Sequence, residues 1–459
     1  MSVRLNLKDL TTRDKEYVDK NLSYDRADNA EEMNERTNRY GAPKAPSYPP
    51  AQRNKRYKTT SAEADGCYSL EGDDLYLPFA FAHDTFELAD NKKTSYGRRD
   101  GMNFVGSLRA EQERMVSECY EKLKRNKGHI VIYPHMGFGK TIMTLKMACD
   151  AKLKTCILVN RIMLVDQWME SIKTFTTARC KFLSPDTFAA AAEEADEEDY
   201  DVYIVNAVNV SKRNRDFWST IGTLIVDEVH QMVTREISKA FFQFTPRYVM
   251  ALSATPYRFD EYHKAIGWFF GKDAIGNTLN RRHVVDYVET NFVPEIIVTP
   301  KGVDWNAVLS SQAADADRNR LIVDIVTRSV RRDKRVWMIL VKRVAQADAL
   351  MSMFEGDVKC ATLVRSQRVF DKECDVLIGT TLKIGVGFDH KPINSLCIAA
   401  DVKNYFVQFL GRCMRREDTE PYVLDVVDNF PPLRRHFEGR CQEYRRHGGI
   451  VKKYVRVDE

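Results

Sequence analysis

The run HIVIYPHMGFGKTIM, residues 129–143, decides how this chain is read. Its first five residues are mostly apolar and β-prone, and its last four open a segment of helical period. Between them, Gly137 and Gly139 permit a backbone curl in which successive N–H groups point inward, and the following helix N-terminus adds its dipole. A loop of this kind holds phosphate. Lys140 is then expected to reach the β and γ phosphates of a nucleotide, and the Thr141 hydroxyl to hold Mg²⁺. Pro134, His135, Met136, Gly137, Phe138 and Gly139 form the cradle. The strict pattern has glycine six positions before the lysine, where this chain has Pro134, so the strand before and the helix after carry the assignment.

The stretch LIVDEVH, residues 224–230, completes the expectation. A strand apolar on both sides delivers Asp227 and Glu228 at its carboxyl end, where open α/β sheets bind ligands. Asp227 can stand in the shell of the metal, and Glu228 can orient and deprotonate an attacking water. An acid pair at a strand end often only caps the next helix. Its position after the loop at Lys140, in the same inferred sheet, is what makes it informative.

Outward from these motifs, short β-rich runs alternate with helical segments. The first series is 129–133, 155–160, 201–206, 223–228 and 248–255; the second is 336–341, 358–364, 374–381, 395–401 and 422–428. Leu164, Trp168 and Ile172 recur every four residues on one helical face. The fold class is therefore α/β: two tandem domains of parallel sheet flanked by helices, joined between about 260 and 300, with a partly disordered N-terminal extension. The division adopted is 1–74 for the extension, 75–107 for a small accessory segment, 108–295 for the first domain and 296–459 for the second. Residues 23–66, rich in Asn, Arg, Glu, Pro and Ser, read as a mobile linker or tail, and the acidic stretch 193–201 as a solvated surface element.

Composition narrows the function only by exclusion. The 459 residues are 44% apolar and contain no run long enough to span a bilayer, and the start has no signal-peptide pattern. The ten cysteines are scattered without a C-x-x-C pair, which argues against zinc fingers and a disulfide framework and for an intracellular, reducing compartment, nucleus or cytoplasm. A net charge of +5 on this surface is too mild for an architectural nucleic-acid binder. Basic residues interleaved with aromatics occur at 53–58 and again at 433–456. The first reads as a solvated tail or a phosphate contact, the second as a nucleic-acid track or as a helix packing Phe437 and Tyr444.

Over residues 104–417 the chain resembles, in order, the DExH branch of superfamily 2 helicases. LRAEQ (108–112) is similar to the adenine-reading motif, with Gln112 as the base contact. PHMGFGKT (134–141) and DEVH (227–230) match motifs I and II, LVNRIMLVDQW (158–168) is similar to motif Ia, and LSATPYRFD (252–260) resembles motif III. VLIGTTLKIGVGFD (376–389) resembles motif V, and QFLGRCMRR (408–416) motif VI. Pro134 and the form of the last motif, with Phe409 where many helicases have arginine, resemble the XPB-like and phage-type helicases and their relatives in large DNA viruses. The resemblance implies two RecA-like domains, ATP and Mg²⁺ as cofactors, and Gly387, Asp389 and Gln408 as further nucleotide contacts. It implies His230, Ser253 and Thr255 as the coupling element between hydrolysis and grip. Asn160 and Arg161 in the first domain and Thr380 in the second become the expected contacts to a nucleic-acid backbone, which binds without reading sequence.

Gln408, Arg412 and Arg415 are spaced by four and three positions, so on a helix they leave one face. An arginine pair so presented can reach a γ-phosphate, as arginine fingers do. The expected activity is that of a nucleic-acid-stimulated ATPase, a DNA helicase or translocase serving transcription, repair or recombination, with Lys140, Asp227, Glu228, Arg412 and Arg415 as its catalytic residues. The alternatives are an RNA helicase of the same fold and a nucleic-acid-binding scaffold that has lost hydrolysis. No membrane is expected among its partners, and virus-encoded origin fits the resemblance.

Overall fold

The computed structural model describes residues 1–22, 67–86, 88, 96–135, 137–185, 199–253, 263–277, 279–299, 302–367, 369–385, 388, 390–402, 406–416 and 418–455. The expected linker at 23–66, the basic run inside it, most of the acidic stretch, and the site candidates Met136, Thr255, Gly387 and Asp389 lie outside the described residues. The chain divides into two compact units, Met1–Pro134 with Phe138–Asn277, and Thr278–Glu459 with His135–Gly137.

The first unit begins with a strand, β1 (Ser2–Asn6), and a helix, α1 (Thr12–Asn21). Thr11 starts α1 with a capping box: its hydroxyl accepts from the Asp14 N–H, and the Asp14 carboxylate accepts from the Thr11 N–H. Two further strands, β2 (Ser69–Glu71) and β3 (Asp74–Pro78), complete an antiparallel sheet in the order β1, β3, β2. The helix α2 (Phe79–Thr85) follows. The described part of the extension is thus folded, and the sequence boundary at 74/75 cuts into β3. Met1, Val18 and Leu22 join Leu77, Phe79, Phe241 and Phe270 in one buried cluster, and the Ser2 N–H donates to the Phe244 carbonyl at 2.8 Å. Little of this shows in the sequence because α1 buries only Val18 along its length.

After α3 (Ala110–Arg125) come β4 (His129–Ile132), α4 (Lys140–Ala151), β5 (Thr155–Val159), α5 (Ile162–Phe175), β6 (Cys180–Leu183), β7 (Val202–Asn206), β8 (Thr223–Val226), β9 (Tyr248–Leu252), α6 (His263–Phe270) and β10 (Ala274–Ile275). The seven strands run parallel in the order β10, β4, β9, β8, β5, β7, β6. Every residue of β4, β5 and β8 is buried, as expected of strands covered on both faces. Leu164, Trp168 and Ile172 of α5 are buried, the face their spacing predicts.

The second unit contains β11 (His283–Glu289), α7 (Trp305–Ala314), α8 (Ala316–Asp333), β12 (Trp337–Val341), α9 (Val344–Met353), β13 (Cys360–Leu363), β14 (Val376–Thr380), β15 (Ser395–Ile398), α10 (Phe406–Cys413), β16 (Tyr422–Val427), α11 (Pro431–Arg446) and β17 (Gly449–Lys453). Its parallel sheet has the order β13, β14, β12, β15, β16, β11, β17. Here the sequence division at 295/296 needs correction, because β11 pairs with β16 and β17 and so belongs to the second sheet. The reason is local: HVVDYVE has polar residues breaking its apolar pattern, and its partner β17 comes more than 150 residues later.

The basic tail resolves into α11 and β17. Tyr444 and Arg440 are buried, and Arg440 forms a two-pronged pair with Asp425 of β16 at 2.7 and 2.8 Å. Among the described residues no helix is long and apolar enough to cross a membrane, and no cluster of His, Cys, Asp and Glu could by itself cage a metal ion. All ten cysteines are free thiols.

Candidate active site

The turn from β4 into α4 rests on glycine backbones. Gly137 and Gly139 have φ of 80° and 101°, a region that side chains other than glycine rarely adopt. Gly139 is the residue before the first turn of α4, and a Cβ placed there would collide with the side-chain amide of Gln112. That amide is already employed: Gln112 Nε2 donates to the Phe138 carbonyl at 2.6 Å, as does the Arg109 guanidinium at 2.6 Å. The Arg109 N–H in turn donates to Gln112 Oε1 at 2.9 Å. Gln112 therefore braces the loop from its outer side, with the Phe138 ring buried beneath Arg109. Pro134 is buried, and His135, Gly139, Lys140 and Thr141 are half-buried.

The carboxyl end of β8 brings the acids to the same place. Lys140 Nζ lies 3.5 Å from Glu228 Oε1, two side chains separated by 88 positions in the chain. Glu228 has φ of 49°, an unusual backbone for a non-glycine residue and one that clusters at functional sites. Asp227 is held by two donors: its Oδ1 accepts from the Glu228 N–H at 2.9 Å, and its Oδ2 from the Trp168 indole N–H at 2.9 Å. Burial, reinforced by the Glu228 carboxylate, raises the Asp227 carboxyl above its ordinary range against the pull of Lys140 and the Trp168 bond. Such a group favours a cation beside it. Carboxylate and hydroxyl oxygens, the kind that Asp227 and Thr141 offer, are the hard donors that Mg²⁺ prefers.

A polar chain leads away from Glu228. His230 Nδ1 is 2.8 Å from Ser253 Oγ and 3.4 Å from Glu228 Oε2, while its Nε2 is 3.2 Å from Gln231 Nε2. Because Gln231 Oε1 accepts from Asn160 Nδ2 at 3.0 Å, the amide N–H of Gln231 is left to donate to the imidazole. This network puts the neutral imidazole's proton on Nδ1. Asn160 thus meets the acids through two intervening side chains. Arg161 precedes α5 and is half-buried. Trp168, Arg109 and Gln231 are members of the site that sequence reasoning missed. Trp168 showed there as one apolar position of a helix face and as the end of the motif Ia stretch, with no role of its own, and its indole N–H leaves no periodic signal.

In the second unit, Gln408 and Arg412 lie on α10 and are buried, whereas Arg415 lies beyond the last residue of that helix and is half-buried. The helical spacing that joins all three in the sequence thus holds for two. Arg412 donates to the Phe388 carbonyl and stands 5.3 Å from the centre of the Phe388 ring. Thr380 closes β14, level with Val341 at the end of β12.

The family described as "Type III restriction enzyme, res subunit" matches residues 106–258, the span from the Gln112 helix through the phosphate loop and the acid pair to motif III. Across most of its length the chain is 37% identical to "Putative helicase 161L" of Invertebrate iridescent virus 6, covering 84% of this chain and 91% of that protein. The chain belongs to the superfamily 2 helicases of large DNA viruses. A second relative, "Putative helicase 055L" of Frog virus 3, is 30% identical over 86% of this chain and 89% of its own. More distant is "Putative ATP-dependent RNA helicase L396" of Acanthamoeba polyphaga mimivirus, 24% identical over 84% of this chain and 77% of that one. This helicase is accordingly an enzyme that hydrolyses ATP and binds nucleic acid.

Proposed function

We propose that this helicase acts on DNA, unwinding it or moving along the duplex, and that its hydrolytic centre is the meeting of Lys140 with Glu228. The observation that carries the reading is their 3.5 Å approach beside a glycine turn that opens α4. The Lys140 ammonium and the first N–H groups of α4 present positive charge where a triphosphate carries its negative charge. With a nucleotide bound, Lys140 turns to the β and γ phosphates and leaves Glu228 free to take a proton from the attacking water. Asp227 and Thr141 would hold Mg²⁺, which neutralises charge on the phosphates. Arg412 and Arg415 are proposed to supply positive charge to the γ-phosphate, as the motif VI resemblance implies. Loss of that phosphate is proposed to loosen the grip on the strand, so that repeated turnover becomes stepping.

His230 and Ser253 are suited to couple the two events, since both contact the neighbourhood of Glu228 while Gln231 continues to Asn160. DNA is preferred over RNA on the strength of the XPB-like form of the motifs, Pro134 and the Gln408–Arg415 pattern. The RNA reading is the rival that the mimivirus relative's name carries. ATPase stimulation measured in parallel with single-stranded DNA, duplex DNA and RNA separates them: stimulation by RNA alone defeats the DNA assignment. Lys140→Ala and Glu228→Gln variants are expected to lose turnover, and unchanged turnover in either removes it from the centre.

A further inference from the structure

Trp305 opens α7 and is 37% exposed, whereas Trp168, Trp218 and Trp337 are fully buried. An indole on the surface is commonly incidental, but its surroundings are not. The ring stacks on His436, with centroids 5.5 Å apart and planes 28° from parallel, and lies tilted by 57° to Phe430 with centroids 6.5 Å apart. His436 is fixed in turn by Asp401, whose carboxylate is 2.9 Å from Nδ1. The adjoining Asn306 accepts from the Arg343 guanidinium through its side chain, at 2.8 Å, and its carbonyl, at 3.2 Å.

These partners share one place in the fold. Arg343 follows the end of β12, Asp401 the end of β15, and Phe430 the end of β16, so the indole sits on the carboxyl rim of the second parallel sheet. Thr380, an expected backbone contact, ends β14 on the same rim. Ligands of parallel sheets bind at that rim. Two of its acids have basic partners: Asp428 has Arg318 at 2.8 Å, and Asp401 has the His436 imidazole at 2.9 Å and Arg440 at 3.7 Å. Lys342, exposed, and Arg343 leave the rim open to phosphate.

We propose that Trp305, held flat by His436, is a stacking platform for an unpaired base of the bound strand, with Lys342 and Arg343 beside it for the backbone. A planar ring fixed on one face and open on the other accepts any base, which suits an enzyme that moves without reading sequence. The inference rests on the proposed movement along nucleic acid and assigns part of its track. The test uses the full chain with fluorescein-labelled oligodeoxythymidylate and oligouridylate. Trp305→Ala should bind about tenfold more weakly, the loss expected for one stacked base, and Trp305→Phe should stay near wild type. Because the indole also packs on His436 and Phe430, affinities are compared well below each variant's unfolding transition, and Trp305→Phe, which keeps an aromatic ring there, controls for lost packing. Binding should also quench tryptophan emission in the wild type, and the quench should vanish in Trp305→Phe, a readout that does not depend on the alanine variant. If the wild type binds but Trp305→Ala binds equally well and the quench persists in Trp305→Phe, the platform is refuted and this face, with Val298 exposed next to it, serves a protein instead. If the wild type binds neither oligonucleotide, the proposed function falls as well.

Discussion

Replacing Arg440 with alanine tests whether the basic tail belongs to the fold or to the strand. Asp425 is fully buried in β16 and receives two bonds from Arg440, at 2.7 and 2.8 Å, and one from the Tyr444 hydroxyl at 2.9 Å. Arg440→Ala strands that carboxylate in the core with one neutral donor. Breaking a buried pair from one side costs about 3–5 kcal/mol, because the remaining charge stays desolvated. For a unit of this size each kcal/mol lowers the melting temperature by roughly 2–4 °C, so a fall of about 10 °C is expected. Removing the whole pair behaves differently. Asp425→Leu with Arg440→Met removes that pair but orphans the Tyr444 hydroxyl at a cost of about 1–3 kcal/mol, which adding Tyr444→Phe recovers, and leaves Asp401 with His436 as its partner. The assay is thermal unfolding by circular dichroism, with oligonucleotide affinity measured below the transition. If Arg440→Ala unfolds like the wild type and binds nucleic acid more weakly, Arg440 faces the strand and the packing argument is wrong.

Three other outcomes follow from the same geometry. Gly139→Ala forces a side chain into a backbone at φ 101° and against the Gln112 amide, so nucleotide affinity should fall at least about tenfold in a fluorescent-nucleotide displacement assay. Trp168→Phe removes the indole donor to Asp227 and should lower turnover about tenfold, the scale of losing a partner that orients a metal-binding group, with more Mg²⁺ needed for half-maximal rate. Burial, with the nearby His83 imidazole, lowers the His129 pKa from 6.5 to about 4. Protonation therefore favours the unfolded chain: the contribution is full above pH 6.5 and is lost as pH falls through about 4. The span is at most about 3 kcal/mol, and His129→Phe should flatten it in a pH series of urea midpoints.

The contrast between what was legible in the sequence and what was not has a physical origin. Lys140, Thr141, Asp227 and Glu228 announce themselves because a phosphate loop and a buried strand constrain residue types at short range. The central strands do so because burial on both faces makes them continuous apolar runs. Edge strands carry a weaker pattern: β6 mixes polar with apolar residues, and β10 is only two residues long; β11, one place in from its sheet edge, has the same mixed pattern. The first strand could not be read as folded because its sheet is completed by residues some 70 positions away.

The supporting residues of the site are hidden for a further reason. Trp168 satisfies the apolar rule of its helix face and the polar need of Asp227 with one side chain, so periodicity accounts for it fully while saying nothing of its N–H. Gln231 is similar: beside DEVH it looks like a solvated helix residue, yet it joins His230 to Asn160. If coupling runs along that chain, Gln231→Ala should separate the two activities, leaving basal ATPase within about twofold while nucleic-acid stimulation drops several-fold. Its amide contacts neither Lys140 nor Asp227, so equal loss of basal and stimulated rates would mean that the polar chain only supports the acid pair.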